Sequence, residues 1–192
     1  MEFYTIHCPM CITPFPKHNW IKKKLLKLID EAEFETLKPI NQDTGVIEID
    51  GYRDNDDISR LDWKKSSNLE RPWVKYFWPY LESVFGTISG KLAYTGVQVM
   101  NIWFQQYLRN GTHGWHTHSD NYTGVYYLEF PEGSPPTELS QNGESILLNV
   151  KEGDFVIFPS FVYHRAPKVE NVDRKTIISF NVNFQSTGNY GS

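Results

Sequence analysis

A chain of 192 residues that is 40% hydrophobic and 15% aromatic has enough apolar mass for one folded domain, which excludes a disordered chain. A net charge of −4 argues against a protein that works mainly through phosphate contacts, so nucleic acid is not an expected partner. No apolar run reaches the roughly 18 residues that span a bilayer, and Met1-Glu2-Phe3-Tyr4 lacks the basic start of a secretion signal. The expectation is a cytoplasmic protein with no membrane partner.

Both cysteines fall in one Cys8-Pro9-Met10-Cys11, within a proline-rich start; the plain reading is two reduced thiols in a terminal loop. Asn19 can cap a helix through Phe34, with Ile21, Leu25, Leu28 and Ile29 as its apolar stripe and Lys22, Lys23, Lys24 and Lys27 solvated. From Leu37 to Ser67 the chain is polar and reads as a connecting arm, with one candidate strand at Val46–Ile49. Pro72 suits the first turn of a second helix reaching Val84, whose Trp73, Phe77, Tyr80 and Leu81 recur at helical spacing.

After Gly90 the texture changes to short strands, expected at Lys91–Tyr94, Gly96–Tyr107, Thr123–Phe130, Ser145–Val150, Asp154–Phe158 and Lys175–Phe184. Turn signals separate them, Asn142-Gly143 and Glu152-Gly153 among them. Helices followed by many short strands give an α+β expectation: a jelly-roll core over 91–184, a helical support region over 1–90 packed outside it, and a frayed tail from 185.

The chemistry concentrates in two places. His116, His118 and Asp120 sit at i, i+2 and i+4, so in an extended chain all three leave one face. His164 follows the buried-strand pattern Asp154–Pro159, and ten residues later Arg174 opens the next strand. Alternation puts Arg174, Thr176 and Ile178 on one face, and a guanidinium beside a hydroxyl is a good receptor for a carboxylate. His113 and His7 are read as ordinary histidines without a role.

Together these form H-x-H-x-D, a distal histidine and an arginine. This resembles the Fe(II)- and 2-oxoglutarate-dependent oxygenases of the double-stranded β-helix (cupin-like) fold, over about Asn101 to Phe184. The nearest likeness is to oxygenases of bacteria and marine phages with H-x-H, S/T-G-V-x-Y-L, F-P-x-x-x-x-H and R-x-S/T-x-S-F-N. The matching stretches are His116-Thr117-His118, Thr123–Leu128, Phe158–His164 and Arg174–Asn181.

The resemblance implies that Fe(II) is held by His164 and a near pair, which is His116 with His118 in the first reading. The two-histidine, one-carboxylate rule selects His118 with Asp120 instead. It further implies that 2-oxoglutarate is held by Arg174 and Thr176, with Tyr107 and Gln105 as further contacts, while Trp103, Trp115 and Tyr126 line the cleft or pack the core. The implied activity couples oxidative decarboxylation of 2-oxoglutarate, with O2, to hydroxylation or demethylation of a peptide, amino acid or metabolite. Two other readings stay open: a cupin-like metal enzyme that does not use 2-oxoglutarate, and a metal-free binding module.

Overall fold

The computed structural model describes residues 1–2, 8–38, 56–141 and 143–186. In chain order its elements are β1 (Cys11–Pro14), α1 (His18–Asp30), β2 (Glu35–Leu37), β3 (Ile58–Leu61), a 3-10 turn (Trp63–Lys65) and α2 (Pro72–Lys91). The second half is all strand: β4 (Gly96–Leu108), β5 (His113–His116), β6 (Tyr122–Glu129), β7 (Glu138–Gln141), β8 (Glu144–Leu147), β9 (Asp154–Pro159), β10 (Tyr163–Ala166) and β11 (Arg174–Gln185). They form a seven-stranded sheet in the order β1-β9-β6-β11-β4-β3-β2 and a four-stranded sheet in the order β5-β10-β7-β8, with every strand pairing antiparallel. The architecture is the expected α+β double-stranded β-helix with both helices outside it.

The large sheet is buried on both faces, and register sorts its side chains between two cores. Ile178 lies opposite Phe104 and Tyr126, and Phe180 opposite Ile102, on the face covered by the helices. There α1 contributes Ile21, Leu25 and Ile29, and α2 contributes Trp73, Phe77, Leu81, Val84, Phe85 and Ile88. Ile177, one residue away, lies opposite Gln105 and Tyr127 and points between the two sheets, where Val125, Phe158 and Leu139 also pack.

Several expectations change. Helix α1 begins at His18, after Lys17 in the left-handed region at φ 60°, so Asn19 is inside the helix and not its cap. Helix α2 runs on to Lys91, replacing the strand expected over Lys91–Tyr94. Val84, Phe85 and Ile88 continue the 3–4 spacing into the core, and that burial outweighs a cost of about 1 kcal/mol each for Gly86 and Gly90. The first ninety residues also supply three strands to the large sheet. One of these, β3, falls in the stretch expected to be irregular; Val46–Ile49 lies outside the described residues. Of the Asn142-Gly143 signal, Gly143 lies between the paired strands β7 and β8 at φ 81°, and Asn142 is outside the described residues.

Gly124 of β6 shows how tightly the strands of the large sheet pack. A Cβ there would lie 2.3 Å from both the Phe180 ring and the Val156 carbonyl oxygen, and Phe180 is itself stacked on Phe155 at 4.8 Å. Gly124→Ala is therefore expected to destabilise the fold by about 1–3 kcal/mol, measurable as a lowered urea midpoint with unchanged slope.

Candidate metal centre and cosubstrate pocket

Histidines 116 and 164 face each other across the β5–β10 pair. Beyond His116 the strand ends, and the His118 N–H donates to the Ser160 carbonyl at 3.0 Å, pinning this residue to the β9–β10 turn. The candidate ligand atoms of His116, His118 and His164 all lie within 4.8 Å of one another. His116 Nδ1 donates to the Gly114 carbonyl at 2.7 Å, and His164 Nδ1 to the Val162 carbonyl at 2.9 Å. A carbonyl oxygen only accepts, so both imidazoles carry their proton on Nδ1 and keep a lone pair on Nε2.

Burial, followed by repulsion from His116, pushes the His118 pKa down from 6.5 to about 3, and burial pushes His164 well below its ordinary value. These rings stay neutral at physiological pH while their unfolded counterparts titrate near 6.5. Below pH 6.5 the unfolded chain therefore binds more protons than the folded one, and stability of the metal-free chain is expected to fall with pH by up to about 2.7 kcal/mol per unit. A chemical-denaturation series in the presence of chelator measures that slope.

Asp120 is not in the cluster. The chain after His116 is no longer extended, so the parity that would align position 120 is lost, and the Asp120 carboxylate accepts from Asn183 Nδ2 at 3.3 Å. His113, set aside in the sequence, stacks on His116 with centroids 4.0 Å apart, and its Nε2 lies 3.9 Å from the Asp56 carboxylate. Only the fold brings these two residues to the triad.

The expected cosubstrate residues separate onto two faces of the large sheet. Gln105 and Tyr107 point inward: Gln105 Oε1 accepts from Ser179 Oγ at 3.0 Å, and the Tyr107 hydroxyl is buried with no hydrogen-bond partner among the described residues. Arg174 and Thr176 point the other way. The Arg174 fork donates to both Glu129 oxygens at 2.7 and 3.1 Å and to Asp30 at 3.1 Å, and Thr176 Oγ1 donates to Glu129 at 2.7 Å. Arg174 is thus engaged in an ion-pair cluster on the helix side. Tyr126 is on that side too, packed on Phe15 and Phe77, whereas Trp103 and Trp115 do line the cleft.

The inward cation is Lys175, opposite Tyr107 in the β11–β4 register. It is fully buried, donates to the Pro135 carbonyl at 2.7 Å, and lies 5.5 Å from the ring centroids of Tyr107 and Phe130. Desolvation lowers its pKa from 10.5 to about 7. A cavity of about 30 Å³, lined by Tyr107, Gln105, Ile177, His118 and His164 among others, adjoins the triad. Outside it a groove of about 430 Å³ passes His116 and His118 between Trp63, Trp103 and Trp115. Trp63 and Trp103 meet nearly at right angles, 82°, with centroids 4.6 Å apart.

No protein-family model matches the chain, and no curated protein matches it in sequence. Solved structures do resemble it. A 2OG-Fe(II) oxygenase family oxidoreductase from Burkholderia pseudomallei superposes with TM-score 0.64 at 12% identity, over 92% of this chain and 87% of that one. A Pseudomonas putida prolyl-4-hydroxylase gives 0.56 at 13%, over 93% of each chain. A Trichoplax adhaerens prolyl hydroxylase, solved with a peptide fragment of hypoxia inducible factor, gives 0.57 at 16%, over 90% and 82%. At such identities the likeness is one of fold: the chain is a double-stranded β-helix domain built like those of 2OG-Fe(II) oxygenases.

Proposed function

We propose that the chain is an Fe(II)- and 2-oxoglutarate-dependent oxygenase acting on a second substrate held in the indole-lined groove. The observation that carries the reading is the pairing of three converging imidazoles, two of them held neutral by burial, with a buried inward lysine that has no carboxylate partner among the described residues. Ligand atoms converging at the mouth of a barrel, with His118 and His164 resisting protonation, suit a divalent cation. One more buried atom fits this reading. Asn181 Oδ1 has no partner among the described residues, and its amide nitrogen lies 3.5 Å from His118 Nδ1. A half-turn of the amide lets Oδ1 accept the Nδ1 proton, orienting His118 as its two companions already are.

In this reading His116, His118 and His164 hold Fe(II), and His113 with Asp56 buttresses His116. When bound, Fe(II) with O2 supplies the redox chemistry that links decarboxylation of 2-oxoglutarate to oxidation of the second substrate. Lys175, in place of Arg174, takes the far carboxylate of 2-oxoglutarate, joined by the orphaned Tyr107 hydroxyl. The cavity has room for about one water. The cosubstrate therefore enters only as Lys175 leaves Pro135 and the rings around it shift. Gln105, held by Ser179, borders that path.

The second substrate lies along the indole-lined groove, where stacking on Trp63, Trp103 and Trp115 keeps water from the reacting centre. The Trichoplax prolyl hydroxylase is seen with a peptide, and a groove of this volume suits a short peptide segment or a metabolite of similar size. Among the described residues no helix is long and apolar enough to cross a membrane; a cytoplasmic setting would keep Cys8 and Cys11 reduced.

An all-imidazole donor set also favours a second reading, a metal enzyme of the same barrel that does not use 2-oxoglutarate. Lys175 has no purpose in it. Incubating the Fe(II)-loaded chain with 2-oxoglutarate in air and measuring succinate separates the two. Succinate formation that depends on added iron is expected; iron uptake without any succinate selects the second reading.

A further inference from the structure

Lys175 is the most deeply buried cation among the described residues, and no ion pair there holds it. Arg71, the next most buried, is held by the Asp62 carboxylate at 2.5 Å. Around Lys175 stand one carbonyl oxygen and two ring faces. Strand β4 presents Tyr107, strand β6 presents Tyr127 and is followed by Phe130, and the segment leading to β7 presents the Pro135 carbonyl. Tyr127 donates its proton to Thr137 Oγ1 at 2.7 Å. The carboxylates that bear on this pocket, Asp56 on Tyr107 and Asp154 on Tyr127, act on the tyrosines. Glu129 is directed to the opposite face with Arg174.

An ammonium so placed has lost its water and gained no anion, so its proton is held weakly until an anion arrives. Resting on the oxygenase reading, we propose that the far carboxylate of a dicarboxylic 2-oxo acid and one proton bind together at Lys175, so that pH sets the preference for dicarboxylic over monocarboxylic 2-oxo acids. The step is an acid–base one: the neutral amine takes a proton from the buffer, becomes an ammonium and pairs with the carboxylate, with no bond to carbon made or broken.

The direction follows from linkage. Burial leaves the free lysine with a pKa of about 7, and an adjacent carboxylate raises it in the complex. Below the free value the lysine is already charged, and affinity does not depend on pH through this group. Between the free and bound values, binding takes up as much as one proton, and affinity falls by up to about tenfold per pH unit as the pH rises. A monocarboxylic 2-oxo acid reaches the metal with the same chelating end but brings no charge to Lys175, so its affinity is free of this dependence.

The test uses the full chain loaded with Fe(II) without oxygen, titrated calorimetrically with 2-oxoglutarate and with 2-oxobutyrate. Two buffers of different ionisation enthalpy are used at about pH 6.5 and about pH 8.5, either side of the free value. The expected result is an uptake approaching one proton by 2-oxoglutarate at the higher pH and none by 2-oxobutyrate. The advantage of 2-oxoglutarate should shrink at least tenfold between the two conditions. Lys175→Arg, which stays protonated throughout, should abolish both the uptake and the pH-dependent preference while still binding 2-oxoglutarate. Tight 2-oxoglutarate binding with no proton uptake and a constant preference overturns the inference and leaves the oxygenase reading standing. Failure of both acids to bind overturns both.

Discussion

His164→Ala is expected to weaken binding of Fe(II), or of Co(II) as a spectroscopic stand-in, by at least about 100-fold, with a folded chain remaining. The residue projects from β10 into the barrel, is 5% exposed, and among the described residues shares its ligand-atom neighbourhood with His116 and His118. Two imidazoles cannot replace the third, because the nearest acidic candidate in sequence, Asp120, is held by Asn183 in the loop beyond β5. Asp120→Ala should therefore keep metal affinity within a few-fold of the parent, while His116→Ala should behave like His164→Ala. The two outcomes distinguish the H-x-H pair from the H-x-D pair directly. Near-normal metal retention by His164→Ala would end the metal reading; loss of metal by Asp120→Ala with retention by His116→Ala would move the centre to His118 and Asp120. The acid-stability slope gives an independent check. Removing a ring held neutral in the fold should take away about half of the loss of stability below pH 6.5.

How much of this was legible in the sequence depends on whether a local signal existed. The long strands β4, β6 and β11 were readable because β-branched and aromatic residues run between clear turns, and the histidine spacing was readable because two of the three ligand candidates are neighbours in the chain. The short strands β1, β2 and β3 were not, since three or four residues carry no period, and their place is fixed by pairing with β9 and β4 far away. The Asp120 position turned on where β5 stops. That point is set by the His118 and Asn121 contacts to Ser160, Asn183 and Phe184, all distant in sequence. The hardest question was which face of β11 is the inside. In a sheet with one wet face, polar residues mark it. Here Ile178 and Phe180 meet the helices while Ile177 meets the small sheet, so both faces are apolar and alternation could pair Arg174 with Thr176 without saying where either points. One residue of register separates Arg174, on the helix side, from Lys175, on the other face.

That register makes the cosubstrate prediction sharp, because two adjacent cations should now behave in opposite ways. Arg174→Ala removes a fork that grips Glu129 and Asp30 on the helix side, where its side chain is 33% exposed. It should leave 2-oxoglutarate affinity within about twofold and lower the stability of the fold by about 1 kcal/mol, the modest figure expected for a partly solvated pair. Lys175→Met should do the reverse. The loss of the buried ammonium opposite a carboxylate costs roughly 2–5 kcal/mol of binding, or about 30-fold to several-thousand-fold in 2-oxoglutarate affinity. The same change replaces a fully buried, unpaired lysine by a side chain of similar length with no charge to desolvate, and should stabilise the metal-free chain by about 1–4 kcal/mol. A variant that melts higher yet no longer holds its cosubstrate is the signature of a charge kept for function at the expense of stability. Anoxic titration of 2-oxoglutarate into both Fe(II)-loaded variants, alongside their thermal melts, measures all four quantities. If Arg174→Ala lost the cosubstrate while Lys175→Met kept it, the anion would have to bind on the helix side of the sheet, and the assignment of Lys175 would fail.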